Sequence, residues 1–193
     1  MKPKIAALGA LVFLACGLLA TACGSTDHEA HARSLYNAYR TAEDSRTDAE
    51  EELRLAFRDI TNAAQAQDRD AVLEAAQRGQ DAVDQINDLI TAELEATQGL
   101  EEIDSVSAHA KQLSDGLRLT RSSLALIAEE LTIALDDPFL ETRKNEIDDL
   151  AKESADLAVK GELAIRRADH SLALALALGL EPRLDQMFTT TSG

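Results

Sequence analysis

Between Ile103 and Ala134, apolar or small residues recur in alternating steps of three and four: Ile103, Val106, Ala110, Leu113, Leu117, Thr120, Leu124, Ile127, Leu131 and Ala134. That period follows one face of an α-helix and excludes a strand, whose side chains repeat every second residue. A stripe this long is a heptad seam, and a seam must be buried against other helices.

The flanking sequence supplies those helices. Thr26-Asp27-His28-Glu29 reads as a capping box that opens a first helix running to about Gln67, with Leu35, Ala38, Tyr39, Ala42, Ala49, Leu53, Phe57, Ile60 and Ala64 on its seam. A skip at Ser45-Arg46 predicts a polar layer or a kink. Asp68-Arg69-Asp70 breaks the pattern and offers the N-cap of a second helix, whose stripe is Val72, Ala76, Gly79, Val83, Ile86 and Ile90 and whose end falls near Gly99. Asp136-Asp137-Pro138 stops the third helix and starts a fourth, with Asp as N-cap, Pro at the first helical position and Glu141 in the first turn. The fourth seam is Ile147, Leu150, Ser154, Leu157, Gly161, Ala164, Ala168 and Leu172. Gly79 and Gly161 lie on seams and predict close helix crossings. The expected fold is all-α: an elongated antiparallel four-helix bundle over residues 27–180 with coiled-coil-like heptad seams, and a flexible tail at 181–193. The alternative fuses helices two and three through Gly99 into one rod. Two hairpins hint at duplication, but no residue-level repeat supports it.

Composition agrees with helix: aromatic residues are 3% of the chain, tryptophan is absent and prolines number three. The net charge is −16. A surface this acidic repels phosphate backbones and anionic headgroups, so neither nucleic-acid binding nor electrostatic membrane binding is expected. Both cysteines, Cys16 and Cys23, lie in the N-terminal apolar stretch. A mature domain beyond Cys23 would have no disulfide and no cysteine-based zinc site.

The N-terminus has its own order. Met1-Lys2-Pro3-Lys4 is basic, Ile5 to Leu19 is apolar, and Ala20-Thr21-Ala22-Cys23 is small. That is the layout of a secretory signal, residues 1–22. Cleavage there would remove Lys2 and Lys4 and take the charge from −16 to about −18. Leu19-Ala20-Thr21-Ala22-Cys23-Gly24-Ser25 resembles the lipobox of bacterial lipoproteins, with Ala20 standing where that class usually has Leu. The resemblance implies that the Cys23 thiol receives a diacylglyceryl group and that the chain is cut just before it. Residues 23–26 would then be the lipidated cysteine and a short leash. Phe13-Leu14-Ala15-Cys16 is a poorer second candidate. An uncleaved membrane-spanning helix is the alternative that the length from Ile5 to Ala22 allows, with Cys23 then an inert thiol.

Catalytic signatures are missing. Three residues before His31, His109 and His170 stand His28, Val106 and Arg167, so the Glu-x-x-His motif of di-iron bundles is absent. His28 and His31 could share a helix face, yet read better as solvated surface histidines. The acidic clusters Asp48/Glu50/Glu51/Glu52 and Glu101/Glu102/Asp104 read as solvated faces. Tyr36 and Tyr39 could touch headgroups, though half-buried helix positions suit them better. No Gly-rich phosphate loop, EF-hand loop, Ser-x-x-Lys pair or Gly-x-Ser-x-Gly elbow occurs. The expectation is no enzyme, no metal and no cofactor.

The segment Ser171 to Leu180 is apolar nearly all round as a helix, with leucines at 172, 174, 176, 178 and 180, and it is too short to span a bilayer. Leu119, Leu126 and Ile133 form a second stripe on the third helix. Each is either core or a docking surface. The sequence therefore predicts an extracytoplasmic protein anchored to the bacterial membrane through lipidated Cys23. Its bundle would bind or scaffold an envelope protein partner through Leu119, Leu126, Ile133 and Leu174–Leu180. The alternative is a carrier or sensor of a small apolar ligand or a divalent cation.

Overall fold

A computed structural model of the chain describes residues 25–176. The signal segment, Cys16, Cys23, the leucines at 178 and 180 and the expected tail all lie outside the described residues. Four helices pack together: α1 (Ser25–Gln65), α2 (Arg69–Glu101), α3 (Ser107–Asp136) and α4 (Lys144–Ala175). The all-α four-helix bundle is as expected. At 1.5 Å per residue, α1 is about 60 Å long and the others about 45–50 Å. Neighbours run antiparallel, because side-chain partners climb one helix as they descend the next. Leu35 meets Gly99 and Ala56 meets Gly79 across α1 and α2, while Thr120 meets Gly161 and Gly116 meets Ile165 across α3 and α4.

The core is built from the expected seams. Val72, Ala76, Gly79, Val83, Ile86 and Ile90 are all buried, as are Val106, Ala110, Leu113, Leu117, Leu124, Leu131 and Ala134. On α4 the inward line runs through Ser154, Gly161, Ile165, Ala168 and Leu172, whereas Ile147, Leu150 and Leu157 are only half-buried.

The helix ends depart from the sequence reading in three places. First, α1 starts at Ser25, so Thr26 is inside the helix instead of capping it, and the expected leash is already helical at Ser25. At the far end of α1, Gln67 takes φ 55°, its N–H bonds Ala64 O, and Asp68 N–H bonds Ala63 O. That paired bonding reverses the chain in three residues and delivers Asp68 as the N-cap of α2, accepting from Ala71 N–H at 3.1 Å. Second, α2 runs past Gly99 to Glu101. Gly99 is not a cap but a contact: a Cβ there would come within 2.9 Å of Leu35 Cδ1. A turn through Glu102–Val106 then breaks the chain before α3, which excludes the fused rod and leaves Ile103 in the turn.

Third, Asp136-Asp137-Pro138 ends α3 but does not begin α4, which starts at Lys144. Asp137 caps a turn: its carboxylate accepts from the N–H groups of Glu141, Thr142 and Arg143 and from Thr142 Oγ1, at 2.9–3.3 Å. Those donors, Thr142 N–H foremost, hold its carboxyl below the usual range. Leu140 at φ 53° makes the bend that keeps Pro138 out of α4. The duplication hint gains nothing, because the α1–α2 turn is a three-residue reversal and the α3–α4 connection a longer Asp-capped loop.

Helix pairing is consecutive. α1 lies on α2, α2 on α3 and α3 on α4, but no Cα of α1 comes within 8 Å of one in α4 among the described residues. The fourth seam of the bundle is spanned by side chains alone.

Candidate functional site

The polar layer expected at Ser45-Arg46 exists, and it extends well beyond that skip. Arg46 is buried on α1, and its Nε donates to Glu93 Oε1 of α2 at 2.7 Å while Nη1 reaches Glu50. One turn towards the N-terminus, Glu43 Oε2 lies 2.6 Å from Arg40 Nη1. Arg40 also donates to Asp169 Oδ2 at 3.2 Å, and Tyr36 OH donates to Asp169 Oδ1 at 2.7 Å. These two bonds to Asp169 bridge α1 to α4. Tyr36 and Tyr39 are both fully buried, their ring centroids 5.9 Å apart and tilted by 39°. The tyrosines therefore belong to the bundle interior and touch no headgroup.

The layer is electrostatically costly. Glu93 is 0% exposed, and its Oε2 has no partner; Tyr39 OH has none either. Burial pushes the Glu93 carboxyl up to about 7 even though Arg46 pulls the other way. Burial raises Tyr39 and Tyr36 well above the usual phenol range and lifts Glu43 too. The hydrogen bond from Arg46 to Glu93 ties α1 to α2, and desolvation opposes the charged form of the pair.

Sequence reasoning found Arg46 and missed its partner. The signal was on α2, where the stripe Ile86, Ile90 continues at helical spacing through Glu93 and Thr97 to Leu100, all buried. Two polar residues on a core stripe mark a buried polar layer. Thr97 and Glu101 each approach Ser114 Oγ of α3, at 3.0 and 2.6 Å, so one of the expected solvated acids is in fact engaged. A second buried carboxylate, Glu130, accepts from Ser154 Oγ at 3.0 Å between α3 and α4, and burial raises its proton affinity.

The candidate docking residues separate. Ile133 is 1% exposed and belongs to the core, which corrects its assignment to a docking surface: it lies on the inner face of α3. Leu119 and Leu126 are half-buried. In the leucine-rich segment Leu172 and Leu176 are buried, whereas Leu174 is 62% exposed. Among the described residues the other large exposed apolar side chains are Val159, 56% exposed, with Leu163 and Phe139. All four lie on α4 or the turn leading into it.

His28 and His31 are exposed on α1, and His109 and His170 are half-buried on other helices. Among the described residues no three His, Cys, Asp or Glu side chains converge as metal ligands. None of the described helices is long and apolar enough to cross a membrane. A surface depression of about 480 Å³ is lined by Asp149, Lys152, Glu153, Ala155, Asp156 and Val159, all from α4. No protein-family model matches this chain, and no curated protein or solved structure does either.

Proposed function

We propose that the chain is an extracytoplasmic lipoprotein, tethered to the bacterial membrane through Cys23, whose acidic bundle docks a protein partner of the cell envelope and performs no catalysis. The observation that carries the docking reading is the one-sided exposure of large apolar side chains: Phe139, Val159, Leu163 and Leu174 all belong to α4 or its entry turn. Among the helices, only α3 brings its backbone close to that of α4, which α1 reaches through side chains, so much of the circumference of α4 faces outward. Among the described residues, exposed apolar side chains gathered on α4 and its entry turn suit a recognition surface more than scattered chance exposure does. The anchor rests on the order basic, apolar, small, Cys at the N-terminus. Two or more acyl chains give stable attachment, at about 0.8 kcal/mol per buried CH₂.

The carrier reading has less to rest on. Two surface depressions among the described residues, one on α4 and one at the α1–α2 turn, are shallow and bordered by charged side chains.

The docking reading is tested in living cells of the source organism with a photo-crosslinking residue at Val159 or Leu174, and at Thr47 on exposed α1 as control. A discrete crosslinked species from the α4 positions and none from Thr47 is expected. Equal smears from all three positions, or no product, would remove α4 as the docking face.

A further inference from the structure

α1 is held differently along its length. Its second half buries Leu53, Ala56 and Ala63 and packs Phe57 and Ile60 on the core, a contact indifferent to pH. In the first half, Leu35 lies over Gly99, and the large buried side chains are Tyr36 and Tyr39, fully enclosed, and Arg46, nearly so. Each of those three ends in a polar group at the layer described above. No close backbone approach supports the seam to α4; Tyr36 and Arg40 on Asp169 are its polar fastening, beside core side chains of both helices such as Tyr36, Ala168 and Leu172. Beneath them, Tyr39 OH and Glu93 Oε2 are buried without partners.

We propose that residues 28–48 of α1 form a latch that seats while Glu93 holds its proton and unseats from α2 and α4 when Glu93 ionises. The seam then opens at one end of the bundle while the other end stays closed. Ionised, Glu93 brings a full charge into an enclosed site where one oxygen has nothing to accept from, and Arg46 is already shared with Glu50. The groups acting on Glu93 are Arg46, Glu43 and Glu50 of α1; Tyr39 of α1 and, beyond it, Asp169 of α4 complete the layer, and no α3 side chain is among the leading charges. With Arg40 on Glu43 and Asp169, two arginines face the four carboxylates of Glu43, Glu50, Glu93 and Asp169, and protonating Glu93 relieves the excess. Lifting α1 relieves it too, by letting Glu93 and Tyr39 meet water.

The sign follows from linkage. The seated carboxyl titrates near 7, against about 4.3 for a solvated glutamate. The seated state therefore binds the proton more tightly. Its advantage is complete below the solvated value, falls as pH rises to about 7, and changes no further above that.

Hydrogen exchange of the full chain, read by mass spectrometry at about pH 5.5 and about pH 8.5 and corrected for intrinsic rates, tests the latch. Protection of residues 28–48 is expected to fall about tenfold or more relative to α3 at the higher pH, with residues 53–63 tracking α3. Glu93→Gln should abolish that difference. Protection of residues 28–48 that stays in step with α3, or a Glu93→Gln protein that keeps the wild-type pH response, would overturn the proposal. The wild-type profile decides on its own should the variant fail to fold.

Discussion

Tyr39 takes its hydroxyl into the bundle without a partner, while Tyr36, three residues away, spends its own on Asp169. The two rings are equally buried, so replacing each with Phe separates the hydroxyl from the ring. A buried unpaired polar group costs about 1–3 kcal/mol, and a bond to a charged group contributes about 1.5–3 kcal/mol. Tyr39→Phe is expected to stabilise the protein by about 1 kcal/mol, and Tyr36→Phe to destabilise it by about 1–2 kcal/mol. Thermal or denaturant unfolding of the purified chain reads both. A Tyr39→Phe protein less stable than wild type would show that the hydroxyl is bonded after all. At this scale the sequence was only partly legible. Arg46 announced itself as a polar interruption of a seam, but Glu93 lies 47 positions further on. Nothing local ties the two together; only the antiparallel register of α1 on α2 does.

Helices were the most legible level, because a buried face must repeat with the helical period wherever the partner lies. The α2 and α3 seams were read almost residue by residue. Ends were harder. Asp68 caps α2 as its chemistry suggests, yet Asp137-Pro138, an equally good sequence signal, caps a turn instead, since Leu140 reverses the chain before α4 can start. Glycines carry the same ambiguity. Gly99 looked like a helix end and is a contact; Gly161 was expected to mark a close crossing and does. Its counterpart Gly116, one step off the α3 seam, went unread. Their neighbours make different predictions for alanine. At Gly161 an added Cβ would meet Gly116 O and Thr120 N at 3.0 Å and Thr120 Oγ1 at 2.7 Å. Backbone atoms cannot step aside, so Gly161→Ala is expected to destabilise by about 1–3 kcal/mol despite its better helix propensity. At Gly99 the neighbour is the tip of the half-buried Leu35. That tip can rotate, and Gly99→Ala is expected to stabilise by up to about 1 kcal/mol. Chemical denaturation of the two variants measures the contrast; equal and like-signed effects would mean that the α3–α4 crossing is looser than its distances imply.

For the whole molecule, three packed helix pairs and one side-chain seam divide the bundle into a closed end and an end fastened by a polar layer. α1 begins at Ser25, two residues after Cys23. A lipid on Cys23 would therefore hold the bundle close to the membrane by the end that carries the polar layer, with the α3–α4 turn and Phe139 at the far end. Position in the envelope was the most specific expectation the sequence offered, because it rests on the order of charge, apolar length and small residues before a cysteine. The identity of the proposed partner was not legible, since a docking surface is defined by the shape of something else. The central claim is the anchor, and the intact mass of the membrane-extracted protein, wild type beside Cys23→Ser, tests it most directly. The account predicts a wild-type mass equal to residues 23–193 plus acyl chains, with both the added mass and membrane retention lost in the variant. A full-length, unmodified wild-type chain, or a cleaved chain without lipid, would contradict it.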